Sequence, residues 1–304
     1  MIDVISILKT VMSKSPYFEY FYRNIGVVEF KFDDNERIHF KEKEGKLILA
    51  KVVANYEEKA DLIVQLDKYE LYKLNKKNKP LQKLKISTGE NGSTLNSRIE
   101  KIIQRIFMPP KDNIYPMEDV LDLIYGALFK FIEPRVVWRS KKNQLYVLRY
   151  SNAYNDLDAY ITYGFTNPNL PSSRLKLDEG KISGYGYEMI IFAGKNDKDL
   201  VKEFIDWVQY VDDTERHIYQ GQYLEYGEGI KIPNTNIAGF LVLNPLGLPY
   251  TMPVYNGFAT FNMLLGVTEE ELKVAKQKNI FEVAEQLNEH GYINYSPQVR
   301  KSIF

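Results

Sequence analysis

Side chains able to do covalent or acid–base chemistry are scarce in this sequence. Its 304 residues include three histidines, His39, His217 and His290, and no cysteine. Thiolate nucleophiles, thiolate metal sites and disulfides are therefore excluded. No histidine shares a predicted helix with a second histidine or a carboxylate at ligand spacing, so zinc is not expected. In Thr214-Glu215-Arg216-His217-Ile218-Tyr219, alternation sets His217 with Glu215 and Tyr219. That is the pattern of a partly buried imidazole satisfied by a neighbour rather than of a catalytic base. The turn Glu225-Tyr226-Gly227-Glu228-Gly229-Ile230 has the glycines of a phosphate loop. Its acids would repel the ligand, and no Gly-Lys-Ser/Thr follows. There is no Gly-x-Ser-x-Gly elbow, dinucleotide fingerprint or EF-hand loop. The paired acids Glu269-Glu270 follow Thr268, which with Glu271 reads as a capping box worth about 1 kcal/mol; Asp212-Asp213 merely adjoin. No catalytic constellation remains, and neither an enzyme nor a bound cofactor is expected.

One electrostatic patch stands out: Lys68, Lys73, Lys76, Lys77, Lys79, Lys83 and Lys85, interleaved with Tyr69 and Tyr72. Phosphates favour lysines and bases stack on rings. The stretch lacks arginine, however, and Asn75-Lys76-Lys77-Asn78-Lys79-Pro80 reads equally well as a solvated loop, so nucleic acid is not the expected partner. Overall, 40 basic side chains balance 40 acidic ones. The halves differ: residues 1–110 carry 20 Lys and Arg against 15 Asp and Glu, leaving 20 against 25 in residues 111–304. The chain is 44% hydrophobic and 26% charged, which suits a soluble globular protein with room for two domains. Its 23 tyrosines and 16 phenylalanines supply the amphipathic contact area that protein-binding surfaces use; an AT-rich codon bias would enrich the same residues. Neither a signal peptide nor a membrane-spanning run is visible, so the cytoplasm is the default compartment.

Met108-Pro109-Pro110-Lys111-Asp112-Asn113 separates two helical patterns, and consecutive prolines cannot continue a helix. The boundary is placed there, giving an α+β module over 1–107, a linker over 108–113 and a second domain over 114–304. The first is read as a helix from Met1 to about Tyr22 and strands at 28–32, 38–41, 47–53 and 61–66. A helix over 68–74, a strand over 83–87 and a closing helix through Leu95, Ile99, Ile102, Ile103 and Ile106 follow. The second begins with a helix through Val120, Leu121, Ile124, Leu128 and Phe131. Strands come next at 136–138, 144–150 and 160–163, with polar loops at 152–158 and 166–174. A helix over 199–210, short strands from Gln222 to Thr260 and terminal helices complete it. The fold class is α+β: an antiparallel sheet with helices on one face, then a mixed sheet flanked by helices.

Ser183-Gly184-Tyr185-Gly186-Tyr187-Glu188 enters the apolar strand Met189-Ile190-Ile191-Phe192. Alternation puts Tyr185, Tyr187 and Met189 on one face, and Gly186, Glu188 and Ile190 on the other. Upstream lies Tyr160-Ile161-Thr162-Tyr163-Gly164-Phe165. Downstream, Gly266-Val267-Thr268-Glu269-Glu270-Glu271-Leu272 is followed by Ala275, Phe281, Leu287, Ile293 and Arg300. In this order the segments resemble the Suppressor of Fused family over roughly 114–304. Residues 27–107 resemble the sterol-carrier-protein-like fold, by pattern alone. The first resemblance implies a non-catalytic protein that binds another polypeptide, in bacteria an immunity protein that sterically neutralises a cognate toxin. Partner contacts are then expected around Tyr163, Tyr185, Tyr187, Glu188 and His217. The second implies an alternative, a carrier holding a lipid or other small apolar molecule in the first domain.

Overall fold

The computed structural model describes residues 3–15, 27–43, 46–52, 59–77, 85–88, 104–105, 107, 114–129, 132–166, 174–176, 180–227, 229–254 and 257–304. The chain divides into two units, Met1–Phe131 with Ser172–Leu177, and Ile132–Pro171 with Asp178–Phe304. The linker expected at 108–113 and the closing-helix residues Leu95, Ile99, Ile102, Ile103 and Ile106 lie outside the described residues. Among the described residues, no helix is long and apolar enough to cross a membrane.

In the first unit Asp3 accepts the Ser6 N–H at 3.2 Å and opens helix α1 (Val4–Met12), which buries Val4, Leu8, Val11 and Met12. The helix expected to reach Tyr22 ends here, with Ser13 as its C-cap. Strands β1 (Val28–Phe32), β2 (Arg37–Lys43), β3 (Lys46–Lys51), β4 (Leu62–Leu66) and β5 (Lys85–Thr88) form a sheet in the order β3-β2-β1-β4-β5. It is antiparallel except where β1 runs parallel to β4. Val28, Phe30 and Phe32 are buried at period two, while Lys31 faces solvent. Glu29 breaks the pattern: it is buried because Arg37 and the His39 Nε2, the latter at 2.9 Å, meet its carboxylate from β2. Helix α2 (Lys68–Lys77) carries Lys68, Lys73, Lys76 and Lys77 of the lysine-rich stretch, Lys85 opens β5, and Lys79 and Lys83 lie outside the described residues. Lys68 bridges Asp34 and Glu36, and Lys73 lies 4.1 Å over the Tyr69 ring. Strand β6 (Ile114–Pro116) leads into α3 (Met117–Leu128) and pairs with β10 (Arg174–Lys176).

The second unit is one mixed sheet with helices. Its strands are β7 (Arg135–Arg139), β8 (Tyr146–Tyr154), β9 (Leu157–Tyr163), β11 (Ile182–Ala193), β12 (Tyr223–Glu225), β13 (Ile237–Leu243), β14 (Met252–Val254) and β15 (Gly257–Thr268), ordered β12-β13-β15-β11-β9-β8-β7 with β14 added beside β15. The central pair, β11 and β15, is parallel. The polar loop expected at 152–158 is instead a hairpin. β8 and β9 continue to Tyr154 and Leu157, and Asn155 (φ 45°) with Asp156 (φ 63°) make the two-residue turn. Asn and Asp tolerate left-handed backbone, so their polarity marks a tight turn rather than a long loop. Helix α4 (Lys198–Thr214) presses Leu200, Phe204, Val208 and Val211 onto Val147, Met189, Ile191, Phe240 and Val242. Burying four such side chains contributes roughly 6–12 kcal/mol as an upper bound. Helix α5 (Glu269–Gln277) opens with the expected capping box between Thr268 and Glu271, and α6 (Ile280–Glu289) follows, buried through Ile280, Val283 and Leu287.

Candidate functional site

The glycine-aromatic segment and the upstream segment Tyr160–Phe165 are neighbours in space, because β9 and β11 pair with Ile161 opposite Ile190. Glu188 is 0% exposed and collects four hydrogen bonds from the end of β9. Thr162 Oγ1 donates to its Oε2 at 2.6 Å; Gly164 N–H, Thr166 N–H and Thr166 Oγ1 donate to Oε1 at 3.1, 2.9 and 2.7 Å. Burial pushes this carboxyl above the usual range, and the four donors pull it partly back. Glu188 is thus a latch inside the protein, not a group offered to a partner or substrate. Thr162, Gly164 and Thr166 share one parity along the sequence, a signal that would have pointed to a common acceptor.

The latch fixes Thr166, against which Gly184 packs. Gly184 has φ 57°, and a Cβ there would lie 2.3 Å and 2.4 Å from the Thr166 carbonyl carbon and oxygen. Only glycine permits that approach. With it in place, Tyr185 N–H donates to the Phe165 carbonyl at 2.8 Å, and the rings of Phe165 and Tyr185 stack at 5.6 Å. Tyr187 is buried, accepts the Ile218 N–H at 3.2 Å, and has its hydroxyl pushed up by burial, so it stays a neutral phenol. His217, which follows α4, stands edge-on to Tyr185 at 4.4 Å and stacks on Tyr219 at 5.9 Å. Tyr185 is half-buried, His217 is exposed and Tyr219 is 55% exposed. The result is an aromatic ledge of Tyr185, His217 and Tyr219 resting on Phe165 and Tyr187. Burial, followed by the charges of Glu215 and Asp212, raises the Tyr185 hydroxyl as well.

Tyr163 belongs elsewhere. It faces Tyr146 across β8 and β9 at 6.2 Å, and the Arg139 guanidinium sits 5.1 Å over the Tyr146 ring. Of the five sequence-selected residues, Tyr185, Tyr187 and His217 meet in one cluster, Glu188 is buried on the other face of β11 against Thr162, Gly164 and Thr166, and Tyr163 is in another aromatic group. Sequence reasoning missed a third aromatic group, in which Trp207 lies between Tyr210 and Tyr226. The downstream segment is structural: Arg300 makes a buried ion pair with Glu271, 2.6 Å from Nη1 to Oε1, and donates Nε–H to Ser296 Oγ at 2.7 Å.

Among the described residues, no cluster of three His, Asp or Glu side chains is placed to hold a metal. Glu225, Gly227 and Gly229, with α5, line a cleft of about 290 Å³. Its cations are already neutralised there: Lys276 pairs with Glu225 at 2.5 Å and Lys273 with Glu269 at 3.0 Å. An anion gains little from such a site.

A family model described as Suppressor of fused protein (SUFU) matches residues 141–301, more than half of the chain. No curated protein matches it. Among solved structures, the Sufu-Fu complex is 16% identical with a TM-score of 0.48, over 62% of this chain and 93% of that one. Drosophila Suppressor of Fused is 14% identical with a TM-score of 0.47, over 64% of this chain and 52% of that one; the chain spans about half of the Drosophila structure. A SUFU homolog from Neisseria gonorrhoeae FA 1090 is 14% identical with a TM-score of 0.40, over 59% of this chain and 94% of that one.

Proposed function

Because the chain belongs to the Suppressor of fused family, we propose that it acts by binding another protein without chemistry of its own, and that the bound protein is a cognate toxin. The observation that carries the reading is the aromatic ledge of Tyr185, His217 and Tyr219, held out by a buried, hydrogen-bonded base. Rigid rings with polar tips make strong contacts at small entropic cost. Glu188, fully buried, is sealed among its donors, which argues against a role in proton transfer. Immunity then follows from shape: an interface of roughly 1,200–2,000 Å² can cover a toxin's active site. The acidic excess over residues 111–304 would speed encounter with a basic nuclease. In this reading Tyr185, His217 and Tyr219 touch the partner, Tyr163 adds a second contact, and Tyr187 and Glu188 hold the ledge.

The test is co-expression with the product of the adjacent reading frame. Copurification together with protection of cells from that product supports the proposal, and Tyr185→Ala with His217→Ala should weaken the complex at least tenfold. A stable protein that neither copurifies nor protects removes the toxin reading. A complex indifferent to both substitutions removes the ledge.

A further inference from the structure

Helix α4 carries a second aromatic surface. Glu203 is only 9% exposed, and among the described residues no lysine or arginine pairs with it. Among the described residues its one hydrogen bond comes from the Tyr226 hydroxyl, which burial and then this carboxylate push upward, so the phenol keeps its proton and donates. Lys202 is close enough to feel this charge but spends its ion pair on Asp206, and a largely buried carboxylate held by one phenol hydrogen bond favours a further cation that can reach it. Three rings surround the approach. Trp207 stands 5.5 Å from Tyr210 at 79° and 5.6 Å from Tyr226 at 36°, so two tyrosines flank the indole as the sides of an open box. Trp207 is half-buried against the core, and Tyr210 and Tyr226 are exposed. One turn along, Asp206 adds a second acid, held only by the exposed pair with Lys202 at 2.6 Å. Such a pair is weak and exchangeable.

We propose that the Glu203–Trp207–Tyr226 surface of α4 is a receptor for an arginine side chain presented by a basic polypeptide. A guanidinium stacks on indole and phenol faces, and its planar fork meets a carboxylate in two hydrogen bonds. The chain already shows the preference in miniature: Arg216 reaches back to donate to the Tyr210 hydroxyl at 3.1 Å. Arginine is favoured over lysine because its weaker hydration makes partial burial cheaper. The surface is distinct from the Tyr185–His217 ledge, and the inference stands or falls independently of the toxin reading.

Trp207 and Trp138 are the only tryptophans, so Trp138→Phe leaves Trp207 as a reporter. Emission is followed while the variant is titrated with an amidated tetra-arginine peptide, its tetra-citrulline analogue, a tetra-glutamate peptide and tetramethylammonium. Saturable quenching by the arginine peptide alone, weakened by added salt and at least tenfold weaker in Glu203→Gln, is the expected result. The amide preserves an acceptor for Tyr226 and removes only the charge; Asp206→Asn, on the exposed face, gives a smaller loss. Equal binding of the citrulline or glutamate peptide, or unchanged affinity in Glu203→Gln, overturns the inference. Tight tetramethylammonium binding without arginine binding overturns it too and reassigns the box to a small quaternary ammonium.

Discussion

Glu188 and Glu271 are both buried, yet they respond to pH in opposite senses. Burial raises Glu188, so the folded protein holds that proton to higher pH than the unfolded chain does. Its contribution is complete below the ordinary value of 4.5 and is lost as pH rises through the raised value. Burial also pushes on Glu271, but the Arg300 guanidinium and the Thr268 N–H outweigh it and hold the group below 4.5. That stability is present above 4.5 and disappears as pH falls through the lowered value. Urea unfolding between pH 5 and 8 should show Glu188→Gln flattening the loss of stability at the alkaline end, at a cost of about 1 kcal/mol. Glu188→Ala strands four donors and should cost about 3 kcal/mol. Removing one partner of the terminal pair, as in Arg300→Met, leaves Glu271 buried and uncompensated, and should cost about 3–5 kcal/mol. Adding Glu271→Gln should recover a large part of that, which a double-mutant cycle measures. Alternation along 183–192 told which side Glu188 occupies, but period two cannot tell whether that side is covered. The donors sit on another strand.

Elements with strong local periodicity were legible. Leu200, Phe204 and Val208 announced α4, Val28, Phe30 and Phe32 announced β1, and Thr268 with Glu271 fixed where α5 starts. The β8–β9 hairpin was not, because Asn152, Asn155, Asp156 and Asp158 are polar for different reasons. Asn155 and Asp156 supply left-handed backbone, while Asp158 is buried and takes Arg149 Nε–H at 2.8 Å and Asn152 N–H at 3.0 Å. Asp156→Gly should therefore stabilise the turn by about 0.5 kcal/mol, read as a higher urea midpoint with unchanged slope. Gly184→Ala should do the reverse. Its methyl group meets the Thr166 carbonyl and its φ is strained, so a loss of about 2 kcal/mol or more is expected, together with release of the Phe165–Tyr185 stack visible in tyrosine near-ultraviolet dichroism. The ledge was partly legible: Tyr185 and His217 were both named from the sequence, whereas Tyr219, which stacks on His217 beyond the end of α4, was not named as a contact.

At the scale of the whole molecule, equal numbers of acidic and basic side chains and an isoelectric point near 6.9 leave little self-repulsion at neutral pH. Solubility and light scattering measured from pH 5.5 to 8.5 should therefore show a solubility minimum near pH 7, relieved above pH 8. What no local pattern encodes is the order of strands in the large sheet. β15 fills the gap between β11 and β13, running parallel to one and antiparallel to the other, with Met263 aligned to both Ile190 and Leu243. On the ribosome this keystone is made after both of its neighbours. At 5–20 residues per second, roughly 4–15 s separate the emergence of β11 from that of β15. For most of that interval β11, and for its last part β13 as well, keeps an apolar border unzipped, so translation stalled before residue 257 should yield aggregates rather than a smaller working fragment.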